Sequence, residues 1–137
     1  MAILHVEDQA VIRDVVRRAL EARGFTVVSA DGVAAAKQAV LERDDLVGAL
    51  LDIRLRDGNG IELYQWIAVN RPRLAACVAF VTGSTDADTQ EDLPRLGCPI
   101  LAKPFEIADL WDLATHWERP IGPSGAIADV HERRIDA

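Results

Sequence analysis

Several common signatures are missing from this sequence of 137 residues, and each absence excludes a class of function. The two cysteines, Cys77 and Cys98, form no CxxC pair and have no metal-ligand spacing with histidine, which predicts free thiols in a reducing compartment. No apolar run reaches membrane-spanning length, and no signal peptide precedes the first apolar segment. We therefore expect a cytoplasmic protein that makes no membrane contact.

Clusters of basic residues are also missing. The chain has 22 acidic residues against 15 Lys and Arg, a net charge of -7, which predicts no direct nucleic-acid binding. A glycine-rich phosphate loop is absent too, since the first apolar segment runs into Glu7-Asp8-Gln9 and no GxxxxGK occurs. This argues against a flavin or nucleotide site.

The sequence does contain short apolar runs that alternate with amphipathic stretches. Predicted strands cover residues 2–6, 25–28, 46–51, 74–81 and 98–102, and predicted helices cover residues 11–20, 33–41, 61–69, 86–96 and 105–117. Because these strands are apolar without alternation, we predict an α/β fold of five βα units, with a parallel sheet covered on both faces.

Local signals refine this outline. Asp31 is positioned to cap the second helix, residues 54–60 predict a loop, and Gly48 is the weak position of the third strand. The pattern fails after residue 117. We therefore expect one domain over residues 1–117 and a flexible tail over residues 118–137.

Polar side chains follow four of the predicted strands. Glu7 and Asp8 follow the first, Asp52 the third, Thr82 the fourth and Lys103 the fifth. Ligands of parallel α/β sheets bind beyond these carboxyl ends. Three carboxylates in one pocket favour a hard cation such as Mg²⁺, and an aspartate can act as a nucleophile that forms an acyl phosphate.

Taken in this order, Glu7-Asp8, Asp52, Thr82 and Lys103-Pro104 resemble the receiver domain of bacterial two-component response regulators, of the single-domain, CheY-like kind. Asp57-Gly58-Asn59-Gly60 also matches the family pattern, as does the Phe105 that follows Pro104. The resemblance covers roughly residues 1–117 and implies a flavodoxin-like, doubly wound (βα)5 fold with strand order 2-1-3-4-5.

The resemblance implies a role for each of these residues. Asp52 would accept a phosphoryl group from a sensor histidine kinase or a histidine phosphotransfer protein, forming 4-aspartylphosphate. Glu7, Asp8, Asp52 and the backbone carbonyl of Arg54 would hold Mg²⁺. Thr82 would be the switch hydroxyl and Lys103 would contact a phosphoryl oxygen, and the peptide bond before Pro104 is expected to be cis. Such a protein is a phosphoacceptor with intrinsic phosphotransfer and autodephosphorylation chemistry, and we do not class it as an enzyme.

Some residues depart from the family pattern. Glu7 replaces the commoner Asp, Arg56 stands where Pro is frequent, and Ile100 replaces the usual aromatic that moves together with Thr82. The alternative of a receiver-fold binding module that acts without phosphorylation therefore stays open. A phosphatase of the dehalogenase type is disfavoured, because it would need a second Asp where Arg54 stands.

Output would occur through protein contacts. We expect either a homodimer or a downstream protein target. Trp111 and Trp117 on the last helix belong either to the core or to the surface that contacts such a partner. The chain is either a free-standing receiver or a receiver cut from a longer protein.

Overall fold

The computed structural model describes residues 1–83 and 96–118. The strands are β1 (Ala2–Val6), β2 (Thr26–Ala30), β3 (Leu46–Asp52), β4 (Arg54–Leu55), β5 (Gly58–Asn59), β6 (Val78–Thr82) and β7 (Ile100–Ala102). The helices are α1 (Ala10–Glu21), α2 (Val33–Glu42), α3 (Gly60–Asn70), α4 (Pro72–Ala75) and α5 (Ile107–Glu118). No helix in the described ranges is long and apolar enough to cross a membrane.

Five of these strands form one parallel sheet in the order β2-β1-β3-β6-β7. Numbered among themselves, these strands have the order 2-1-3-4-5, so the predicted fold class and topology are confirmed. Side chains from α2, α3 and α4 pack on one face of the sheet, and side chains from α1 and α5 pack on the other. The carboxyl ends of β1, β3, β6 and β7 therefore share one edge.

Several predicted boundaries were wrong. The strand predicted over residues 74–81 begins only at Val78, because Pro72 starts the short helix α4, where its fixed backbone angle is favourable. The predicted loop over residues 54–60 contains the antiparallel pair β4–β5 and the start of α3. β2 extends to Ala30 and β7 begins at Ile100. Helix α5 begins at Ile107 and includes residue 118, the first of the predicted tail.

Two predictions fall on other parts of the chain. All but the last residue of the helix predicted over residues 86–96, and residues 119–137 of the predicted tail, lie outside the described residues.

The cap of α2 also differs from the prediction. Asp31 does not cap this helix, whose N-cap is Gly32. The cap comes instead from Asp57, which accepts hydrogen bonds from the backbone N–H of Val33 at 2.7 Å and of Ala34 at 3.0 Å. The bonds from Ala34 and Val33 hold the pKa of the exposed Asp57 carboxyl below its usual value. Sequence proximity favoured Asp31, whereas the residue that caps α2 is distant in the chain.

Gly48 is a close-approach position in β3 rather than only a weak one. A Cβ atom added there would lie 2.0 Å from Cε3 of Trp117, whose indole ring is almost fully buried on α5. The absence of a side chain in β3 is therefore what lets the end of α5 lie against the sheet. Of the two alternatives left open for Trp117, the core and a partner surface, the structure shows the core.

We predict that Gly48→Ala lowers the free energy of unfolding by about 1–3 kcal/mol, because the new methyl group overlaps the indole of Trp117. Urea titrations of the wild type, Gly48→Ala, Trp117→Leu and the double variant would measure this effect. The smaller Leu should relieve the overlap, so the effects of the two changes should not add. Strict additivity would contradict the proposed contact.

His5 lies inside β1 and is 2% exposed. Its Nδ1 atom has no hydrogen-bond partner among the described residues. Burial, together with the nearby positive charges of Lys103 and Arg13, lowers the pKa of His5 to about 4. The imidazole is therefore neutral at physiological pH and packs as a core residue.

This low pKa of His5 predicts a pH-dependent stability. Between the unfolded value of 6.5 and the folded value of about 4, the unfolded chain binds more protons, so stability falls as pH decreases through that window. Once His5 is protonated in both the folded and the unfolded chain, the free energy of unfolding would be lower by about 3 kcal/mol. Urea unfolding at several pH values should show this loss in the wild type. In His5→Leu the slope between pH 6.5 and 4 should be shallower, and equal slopes would contradict the prediction.

Candidate functional site

Three carboxylates meet at the carboxyl edge of the sheet. β1 and β3 are adjacent and pair Val6 with Leu51, so Glu7 and Asp52 lie side by side at the ends of these two strands. One oxygen from each of Glu7, Asp8 and Asp52 lies within 4.8 Å of the others. Glu7 is 1% exposed and Asp52 is 5% exposed, while Asp8 is half-buried. This set of hard oxygen donors is compatible with a divalent metal ion.

Lys103 joins two of these carboxylates. Its Nζ donates to Glu7 Oε1 at 2.9 Å and to Asp52 Oδ2 at 3.0 Å. Burial opposes the charged ammonium, but the hydrogen bonds to Glu7 and Asp52 outweigh that effect and raise the pKa of Lys103. The lysine is therefore protonated at neutral pH and offsets part of the negative charge of the cluster.

Thr82 ends β6, which lies between the strand of Asp52 and the strand that precedes Lys103. Its side chain is buried, and its carbonyl accepts the backbone N–H of Lys103 at 2.7 Å. The sheet thus brings Glu7, Asp8, Asp52, Thr82 and Lys103 to one edge. The Lys103–Pro104 peptide bond is cis, as predicted.

Arg13 is a supporting residue that the sequence analysis missed. Its Nη1 donates to the carbonyl of Glu7 at 2.7 Å, so α1 holds the backbone of the acidic turn that follows β1. The Glu7 side chain also accepts the N–H of Gln9 at 3.2 Å. The sequence signal for this role was a basic residue in the first turn of the helix that follows two adjacent acids. Sequence alone does not distinguish such a residue from a solvated surface arginine.

A cavity of about 720 Å³ opens beside the carboxylates. Asp8, Asp52, Arg54 and Lys103 form much of its polar side. The apolar side comes mainly from α1 and from the residue after Pro104: Val11, Ile12, Val15, Val16 and Phe105. Val11 and Val15 are 76% and 51% exposed, so an open apolar surface adjoins the buried carboxylate.

Ile100 and Leu101 lie on opposite faces of the sheet, and Ile100 pairs with Phe80 in the register of β7 and β6. It packs with the cluster that contains Phe80, and Tyr64 makes an edge contact with Phe80 at 5.6 Å between ring centroids. This position in β7 therefore carries a half-buried aliphatic side chain that packs against the core.

Together these groups provide a buried carboxylate that an ammonium orients, two further acids and open space in front of them. Such an arrangement suits attack by a carboxylate oxygen on an electrophile that carries negative charge.

Comparison with known proteins agrees with this geometry. The family model of the response regulator receiver domain matches residues 3–115. The chain is 32% identical over 110 residues to the photosynthetic apparatus regulatory protein RegA of Rhodobacter capsulatus, across 80% of this chain and 58% of RegA. It is 34% identical over 113 residues to the KDP operon transcriptional regulatory protein KdpE of Escherichia coli, across 79% of this chain and 47% of KdpE. The chain thus spans about half the length of each of these relatives.

Solved structures are similar as well. A response regulator receiver protein from Pseudomonas putida has a TM-score of 0.75 at 29% identity, covering 83% of this chain and 94% of that one. A CheY-like receiver domain protein from Methanospirillum hungatei JF-1 has a TM-score of 0.72 at 28% identity, covering 83% and 90%. With the matched family model and the shared fold, the chain belongs to the response regulator receiver domain family of two-component systems.

Proposed function

We propose that Asp52 accepts a phosphoryl group from a phosphohistidine of a sensor histidine kinase or a histidine phosphotransfer protein, and that the modified domain then changes its protein contacts. The observation that carries this proposal is the pair of hydrogen bonds from Lys103 to Asp52 and Glu7 at the mouth of an open cavity. A buried aspartate facing such a cavity is better explained as an acceptor than as a turn residue.

The transfer is a displacement at phosphorus. A carboxylate oxygen of Asp52 forms the new O–P bond while the N–P bond of the donor breaks, and the bonding electrons remain on the imidazole nitrogen, which then takes a proton. Lys103 is close enough to Asp52 to neutralise charge on the transferred group, and Thr82 supplies a hydroxyl on the neighbouring strand. We infer that hydrolysis of the acyl phosphate returns Asp52 to its original state.

The donor set fits Mg²⁺. Glu7, Asp8 and Asp52 offer three carboxylates, and we infer that the carbonyl of Arg54, two residues after Asp52, completes the protein ligands. When bound, the ion would offset the negative charge that the phosphoryl group brings to the acidic cluster.

The apolar side of the cavity fits the phosphodonor protein. A histidine that delivers a phosphoryl group must approach Asp52 while its own protein rests on the surrounding surface. Val11 and Val15 on α1 provide an exposed apolar surface at this point. After transfer, a homodimer or a downstream protein would read the changed surface.

A receiver-fold module that acts without phosphorylation is the second candidate. Ile100 favours it, because an aliphatic side chain packed beside Phe80 provides no aromatic ring that could move together with Thr82. The first experiment below separates the two candidates.

We predict that acetyl phosphate with Mg²⁺ adds one phosphoryl group to the wild-type protein and none to Asp52→Asn, because the amide is not nucleophilic enough to form an acyl phosphate. Intact mass spectrometry measures the product. Chelation of Mg²⁺ by EDTA should also prevent labelling of the wild type. Asp14→Asn, at a half-exposed acid of α1, is the control and should be labelled normally. An unlabelled wild type under conditions that label another receiver would favour the non-phosphorylated module.

A second prediction concerns the partner surface. Val15→Lys should slow phosphotransfer from a phosphorylated histidine phosphotransfer protein by about tenfold or more, the effect of losing one important interface contact. Labelling by acetyl phosphate should be unchanged, because this small donor needs no protein surface. Leu41→Lys replaces an equally exposed apolar residue on α2 and is the matched control. Equal transfer rates in the three proteins would exclude this surface as the donor contact.

A further inference from the structure

Hydrogen bonds attach the hairpin of β4 and β5, which follows the candidate acceptor directly, to its surroundings at its base and on both sides. At its base, the N–H of Gly60 donates to the carbonyl of Ile53 at 2.9 Å. On one side, the Asn59 side chain caps α3 by accepting the N–H of Glu62 at 2.8 Å. On the other side, Asp57 reaches α2. The first two attachments are local in sequence, and the third joins the hairpin to a distant element, α2. Leu55 of β4 also packs in the core cluster.

The Asp57 attachment is well fitted. Each carboxylate oxygen accepts one N–H from the first turn of α2: Oδ1 from Val33 at 2.7 Å and Oδ2 from Ala34 at 3.0 Å. Gly32 leaves room for this contact, since a Cβ atom there would lie 2.5 Å from Asp57 Oδ1. The N-cap position itself provides no side-chain hydrogen bond to the helix.

This geometry is unusual for a simple cap, which a Ser, Asn or Asp at the N-cap position normally provides. Gly32 has an extended backbone that any residue can adopt, so a local cap would have fitted the chain conformation. The helix instead takes its cap from the hairpin. The same two hydrogen bonds therefore fix two elements at once, the start of α2 and the tip of the hairpin that contains Arg54.

We propose that Asp57 is a positioning residue for the metal and phosphoryl site, because its hydrogen bonds to α2 hold the hairpin whose Arg54 lines the cavity beside Asp8 and Asp52. This inference rests on the proposed function, since it assigns the Arg54 carbonyl to Mg²⁺. Asp57 does not contact the reacting groups itself. It acts by restricting the backbone that follows Asp52.

The test measures Mg²⁺ binding by isothermal titration calorimetry in the full chain. Asp57→Ala should raise the Mg²⁺ dissociation constant by about tenfold, the usual size of an effect on a residue that orients a metal ligand. Asp31→Asn is the control, because Asp31 lies next to the same helix terminus but does not cap the helix. Its Mg²⁺ affinity should equal that of the wild type.

A double variant separates positioning from helix stability. In Asp57→Ala the space beside Gly32 is free, so Gly32→Ser can supply a local N-cap to α2 without restoring the attachment to the hairpin. We expect the thermal midpoint to fall in Asp57→Ala and to return toward the wild-type value in the double variant. The Mg²⁺ affinity should remain low in both.

The outcomes are distinct. Wild-type Mg²⁺ affinity in Asp57→Ala would overturn the inference, and so would recovery of Mg²⁺ affinity in the double variant, which would reduce Asp57 to a helix cap. Failure of acetyl phosphate to label the wild type would overturn the proposed function instead, while the Mg²⁺ affinities would still decide the role of Asp57.

Discussion

The contact between Lys103 and the two carboxylates of Glu7 and Asp52 is the interaction on which the rest of the site depends. Taking two carboxylates out of water is costly unless opposite charge and hydrogen bonds compensate. Here a single ammonium contacts both, at 2.9 Å and 3.0 Å. Because the lysine comes from the far edge of the sheet, the contact requires β1, β3, β6 and β7 to be adjacent and in register. The chemistry of the site and the strand order are therefore consequences of the same packing.

The compensation of negative charge in the site is incomplete. Glu7, Asp8 and Asp52 bring three negative charges against one ammonium, so the cluster retains an attraction for added cations. Arg13 supports the backbone of Glu7 from α1 but donates to its carbonyl rather than to its carboxylate. This donor set is compatible with a divalent ion, and under the proposed function a bound ion would offset the charge of an incoming phosphoryl group.

Most of the fold was predictable because its signals are local. Apolar runs that lack alternation identified the strands, and the polar residue after each run identified the site edge. The errors have physical causes that involve distant residues or competing local preferences. The sequence predicted a strand at Leu74 and Ala75 because both are apolar. Both are buried in the structure, yet they lie in the short helix that Pro72 starts. The capping role of Asp57 and the approach of Trp117 to Gly48 join residues far apart in the chain, which a sequence pattern cannot reveal.

The contacts that hold α5 differ from those that hold the start of α2. This difference bears on how a change at Asp52 would spread through the domain. On one face, the half-buried Trp111 donates from Nε1 to the carbonyl of Ala19 at 2.8 Å, and the Arg23 guanidinium stacks over its ring. The buried Trp117 packs on Gly48, so aromatic contacts fix α5 to α1 and β3. On the other face, the start of α2 is capped by an exposed carboxylate from the hairpin next to Asp52. Bonds to an exposed carboxylate compete with water and break at lower cost than buried packing. A change at Asp52 that shifts the hairpin would therefore reach the start of α2 through the two hydrogen bonds of Asp57.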